Sequence, residues 1–82
     1  MPFYHVRLIN HVFDVRDEGK DYPSLDAAVQ ASLVAAADVM ADLVEKKQLN
    51  SVIDARVEDG DHVVARHSVS LTVRELDSDA AL

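Results

Sequence analysis

The chain opens on strict alternation. From Phe3 to Ile9, Tyr4, Val6 and Leu8 fall on one side of an extended backbone and His5 and Arg7 on the other. That is the period of a half-buried β-strand. Asn10-His11 follows, then Val12-Phe13-Asp14-Val15. Asparagine tolerates a left-handed backbone, so a two-residue hairpin turn is expected between the two runs. Asp17-Glu18-Gly19-Lys20-Asp21 reads as a polar turn with one glycine.

The period becomes helical after Pro23. Ser24 suits an N-cap and Asp26 the first turn; Lys46 and Lys47 suit the far end, and Asn50 is expected to stop the helix. From Leu25 to Val44, fifteen of twenty residues are apolar. At 100° per residue, Leu25, Val29, Leu33, Val39, Met40 and Leu43 lie within about 120° of one another, a core stripe expected to face the sheet. The opposite face carries Asp26, Gln30, Asp38, Asp42 and Glu45, with Ala27, Ala31, Ala37 and Ala41 among them and Val34 at the centre. Helix propensity accounts for alanines there. So does a second contact face: Ala27, Ala31, Val34 and Ala41 form a strip that a two-fold copy of the helix could approach closely, and an unpaired edge of the open sheet is an equal alternative for association.

Alternation returns at Val52, with Ile53, Ala55 and Val57 inward and Asp54, Arg56 and Glu58 outward. Asp59-Gly60 predicts a type I′ hairpin turn. The last strand runs from about His62 to Val73, with Val63, Ala65, His67, Val69, Leu71 and Val73 on one face. Its length predicts a bulge near Arg66–Ser68. The pattern as a whole predicts an α+β fold. It is a two-layer ββαββ arrangement, a four-stranded sheet of antiparallel hairpins with one long helix packed on one face. Residues 1–76 form a single domain, and 77–82 are a small acidic tail expected to fray.

Composition narrows the functions open to such a domain. Fifteen acids against eight bases give a net charge of −7, which disfavours nucleic acid and anionic membranes as partners. The chain has no cysteine, which excludes disulfides, thiol nucleophiles and thiolate metal sites and fits a cytoplasmic location. The opening MPFYHVRLIN lacks a basic region followed by an apolar run, so no signal peptide is expected. Asp26, Gln30, Asp38 and Asp42 interrupt the most apolar stretch, so no membrane span is expected.

Residues able to carry chemistry are scattered. His5 and His11 lie on the first hairpin and His62 and His67 on the last, with no spacing typical of a metal site. The acidic turns at Asp17–Asp21 and Glu58–Asp61 lack the calcium-loop pattern. Ser68 and Ser70 belong to no nucleophile motif. No catalytic residue, cofactor or metal is expected. Arg7, Arg56 and Arg66, with Phe3, His5 and Ile9, would point from the open sheet face; Asp14, Asp54 and Glu58 share it and offset its charge. An aromatic and basic sheet face is one way to bind single strands.

Met1-Pro2-x-Tyr4, Asp17-Glu18-Gly19, Tyr22-Pro23-Ser24-Leu25 with Ala27-Ala28, Val57-Glu58-Asp59-Gly60 and Val69-x-Leu71-x-Val73 recur together here. In these features residues 1 to 76 resemble a family of short, uncharacterised alphaproteobacterial proteins, a domain-of-unknown-function family of the 6894 type. Asn10-His11 stands where that family usually has Asp-Gly. The resemblance implies the ββαββ fold and a bacterial cytoplasmic origin, and no activity. The expectation is a non-enzymatic protein-interaction or regulatory module acting as a homodimer. The alternatives are a nucleic-acid-associated regulator using Arg7, Arg56 and Arg66, with His5 beside them, or a small-ligand site formed between protomers.

Overall fold

In the computed structural model the structure describes residues 1–76; the expected tail lies outside the described residues. Strand β1 (Phe3–Ile9) is followed by β2 (Asp14–Arg16), β3 (Lys20–Asp21), helix α1 (Leu25–Glu45), β4 (Asn50–Asp59) and β5 (His62–Thr72). The fold is α+β, with one helix on a five-stranded antiparallel sheet. The order is β2-β1-β4-β5, and β3 also pairs with β1. The expected four strands become five because the polar Asp17–Asp21 segment returns to β1. Phe3 pairs with Asp21 and Tyr4 with Lys20.

The first hairpin also departs from expectation. Ile9 pairs with Asp14, so Asn10 to Phe13 form a four-residue loop. Asn10 is not left-handed. Its Oδ1 instead accepts the N–H groups of Val12 (2.7 Å) and Phe13 (3.0 Å), an Asx-type turn in which the side chain replaces a backbone acceptor. Asp17 does similar work further on. Its Oδ1 accepts from Val6 N–H (3.0 Å) and Gly19 N–H (2.9 Å), and its own N–H donates to the Val6 carbonyl (3.0 Å).

Ser24 caps α1 as expected, its Oγ accepting from Ala27 N–H at 3.1 Å. Asn50 does not stop the helix; it begins β4. The helix ends at Lys46–Lys47 instead. Lys47 takes a left-handed φ of 64°, its N–H donates to Val44, and Gln48 N–H donates to Leu43 at 2.8 Å. That is a Schellman closure with lysine at the position glycine usually fills.

The helix face on the sheet is centred on small residues. Ala28, Ser32, Ala36 and Met40 are its buried positions, whereas Leu25, Val29, Leu33, Val39 and Leu43 are only half-buried. Small side chains let the helix backbone approach the strands, and the larger residues then close the flanks. By length and composition alone α1 could cross a membrane, but its Ala28–Met40 stripe is packed on the sheet. Val6, Leu8, Ile53 and Ala55 meet Ala36 and Met40 in one cluster. Tyr22, Ala28 and Val57 centre a second, with Tyr4 and Leu25 against it.

The β4–β5 hairpin turns one residue later than expected: Asp59 pairs with His62, so Gly60-Asp61 form the loop, and of the two only Gly60, at φ 59°, is left-handed, which is not the type I′ geometry. The bulge is not at Arg66–Ser68. Val57 pairs with Ala65 and Glu58 with Val63, which leaves Val64 as the extra residue. The bulge moves Val63 to the open face, beside Glu58, and out of the expected core row. His67 keeps the helix-side parity, opposite Ala55, and is exposed.

Candidate interaction surface

Antiparallel register decides what the open face displays. Arg7 on β1 pairs with Arg16 on β2 and with Arg56 on β4, and Arg56 pairs with Arg66 on β5. Four of the chain's five arginines therefore lie in one row, Arg16-Arg7-Arg56-Arg66, across four strands. At about 4.8 Å per strand the row spans about 14 Å. Like charges on facing strands repel, so the row needs anions around it. Three acids supply them: Asp14 and Asp54 from the register on one side, Glu58 from the other.

Each acid is clamped. Arg7 makes a bidentate pair with Asp14, Nε and Nη2 both at 2.7 Å. Arg16 Nε donates to Glu58 at 2.7 Å and its Nη2 to the Gly60 carbonyl at 2.9 Å. Arg7 Nη1 lies 3.6 Å from the other Glu58 oxygen. The expected outward position of Glu58 is correct, but the two guanidinia leave its residue only 5 % exposed. Asp54 accepts from Arg56 Nη2 at 2.9 Å and from Arg66 Nε and Nη2 at 3.0 and 2.9 Å. Hydrogen bonds from Arg56 first, and from Arg66 next, push the Asp54 carboxyl down to about 2. The bond to Arg7 lowers Asp14 and, in return, raises Arg7; Arg66 is raised by Asp54. Four cations against three anions leave this network one positive charge in excess, which Asp21, opposite Phe3 on the same face, balances.

The face also carries apolar and aromatic groups. Phe3 is 49 % exposed and Val52 55 %. The Phe3 ring meets the His5 imidazole edge-on at 5.4 Å, and His5 Nδ1 lies 3.0 Å from the Asp17 carbonyl. His5, Arg7, Arg56 and Arg66 thus share the surface expected of them. Arg16 was not anticipated there, because a two-residue turn would have set Asp14, not Arg16, opposite Arg7.

The alanine strip is divided. Ala27 and Ala31 are half-buried against the chain's own Tyr22 cluster, while Val34, 51 % exposed, and Ala41 face outward. Among the described residues no group of three or more His, Asp or Glu side chains could hold a metal ion. An open groove of about 500 Å³ lies between the first hairpin loop and the end of α1, lined by His11, Val12, Phe13, Leu43 and Lys46 among others. Lys46 is tied there to Asp42 at 2.8 Å.

A small α+β domain with an open, arginine-crossed sheet face is what the geometry defines. The chain belongs to a family of domains of unknown function, DUF6894, whose model matches residues 3–72. No curated protein and no solved structure matches it.

Proposed function

We propose that the protein is a small non-enzymatic interaction module that works as a homodimer and offers the open face of its sheet to an acidic segment of another protein. The row of four arginines carries this reading. Arginine is the side chain best suited to bidentate carboxylate recognition and is enriched at interface hot spots. Here it is concentrated on one face, bordered by exposed Phe3 and Val52. A face left open by the helix suits a macromolecule rather than an enclosed small molecule. The alphaproteobacterial, cytoplasmic setting implied by the resemblance is part of the same proposal.

A second reading, a nucleic-acid-associated regulator on the same face, is favoured by the Phe3–His5 pair beside the row, since aromatic rings and guanidinia together bind single strands. Fluorescence anisotropy at low salt separates the two, with a labelled hexaglutamate peptide and a labelled short oligothymidylate as probes. The first reading expects the peptide to bind, salt to weaken it, and Arg66→Ala to weaken it several-fold. Binding of the oligonucleotide alone favours the second reading. Binding of neither rejects both.

A further inference from the structure

The homodimer reading leaves open which surface joins the two copies, and the backbone of β5 answers it. β5 is the edge of the sheet, eleven residues from His62 to Thr72. Val73 N–H donates to the Leu49 carbonyl at 2.9 Å, and Leu71 pairs with Ser51. In an antiparallel ladder the backbone groups of successive residues point to alternate sides. Ala65, His67, Val69 and Leu71 therefore aim their N–H and C=O groups at β4. Arg66, Ser68, Ser70 and Thr72 aim theirs away from the sheet.

Past the bulge at Val64 and the charge of Arg66, that outer edge carries none of the usual guards. From His67 to Val73 there is no Lys, Arg, Asp, Glu, Pro or Gly, the residues that protect natural edges from pairing. The opposite edge is divided into strands of three and two residues. Water can solvate these outward backbone groups in a monomer, but a second strand pairs with the whole row at once, and the sequence of β5 suits a second copy of itself. A two-fold axis at Val69 sets Ser68 opposite Ser70 of the second copy and Arg66 opposite Thr72. All four outward residues are then paired, and no charge faces a like charge. An axis at Arg66 sets two arginines face to face. One at Ser70 sets Arg66 against Arg74, and one at Ser68 brings the bulged Val64 opposite Thr72.

We infer that two copies join through β5, antiparallel and centred on Val69, to make one continuous sheet. The helices then lie apart on that sheet, and Val34 takes no part in the contact. The inference rests on the homodimer reading and adds the surface to it.

The test is light scattering over a range of concentrations on the wild type, Ser70→Pro, Thr72→Pro and Val34→Glu. Proline at Ser70 or Thr72 removes an outward N–H and leaves the ladder to β4 whole. The wild type and Val34→Glu are expected to have twice the monomer mass. The two proline variants are expected to be monomers with an unchanged far-ultraviolet circular dichroism spectrum. Should the proline variants unfold, amide exchange in the wild type decides. The Ser68 and Ser70 amides should slow at least tenfold between monomer and dimer concentrations, while Val69 and Leu71 are protected at both. Fast exchange of Ser68 and Ser70 in the dimer overturns the inference. So does a dimer that Val34→Glu dissociates and Ser70→Pro does not, although the homodimer reading then survives. A wild type that is monomeric at every concentration overturns both.

Discussion

Along one edge of the sheet the chain runs from Asp14 to Asp21 and is in strand form for three residues and then two. Along the other, β5 is in strand form for eleven. Both edges have unpaired backbone groups, but they are treated differently. On the first, Asp17 turns inward and meets two N–H groups with its own carboxylate, and Gly19 breaks the line with a φ of 82°. Arg16, Lys20 and Asp21 add charge. On the second, the bulge at Val64 and the charge of Arg66 lie toward one end, and the run after them is bare. An edge strand is therefore not a liability in itself. Side-chain acceptors and a break in the line set how available it is.

The largest change expected from a single substitution falls on β4, which leads from β1 to β5. Ile53 is fully buried there, and Ile53→Ala should cost about 3 kcal/mol. Urea denaturation would measure it, and a loss under ~1 kcal/mol would mean that the sheet centre is not the common support of both edges. Next is the guarded edge itself. A Cβ at Gly19 would stand 2.7 Å from the Phe3 ring, on a backbone that disfavours side chains. Gly19→Ala should therefore cost about 2 kcal/mol. Amide exchange at Tyr4 and Tyr22 should quicken more than at β5; equal quickening everywhere would deny that Gly19 shapes that edge.

Acid titration sharpens the comparison on the bare side, where Asp54 on β4 holds Arg66 on β5. The folded carboxyl lies at about 2 against an ordinary 3.8. A depressed folded value means that the stabilisation is present above pH 3.8 and is lost as pH falls toward about 2. Its size is at most about 2 kcal/mol. Asp54→Asn should flatten that limb of the stability profile, and an unchanged acid limb would count against the tether. The smallest effect belongs to a site on neither edge. Lys47→Gly relieves the left-handed φ of 64° and should raise stability by somewhat under ~1 kcal/mol, read as a rise of a few degrees in Tm. A drop would show that the lysine makes a contact worth more than its strain.

Local chemistry was legible where one residue type settles one conformation. Ser24 caps, Gly60 marks the second hairpin to within a residue, and the alternation of β1 and β4 places Val6, Leu8, Ile53, Ala55 and Val57 inside. The misses share a physical cause. Ranking helix positions by apolar bulk favoured Leu25 and Leu33, but a helix approaches a sheet most closely over its smallest side chains, so Ala28, Ser32 and Ala36 are deepest. Strand β3 depends on Asp17 reaching Val6, eleven positions away, which no short window can see. The four-arginine row depends on register. Asn10 closing its loop through Oδ1 adds two residues to the turn, and that shift brings Arg16 opposite Arg7. Arg7, Arg56 and Arg66 could be placed on one face by parity alone; that they stand abreast with Arg16 could not.

The strand order also sets an assembly sequence. β4 and β5 are joined by a two-residue turn and can zip together locally. β1, by contrast, finds β4 only when His5 meets Glu58, with the whole helix in between. Closing that long loop before any contact rewards it is the slow event in a chain this size. The late docking of β1 should therefore limit the folding rate. Val6→Ala should leave that rate more sensitive than Val69→Ala does, for equal losses of stability. Until β1 arrives, the β4–β5 hairpin has two open edges, one on each strand, where the finished sheet leaves only that of β5.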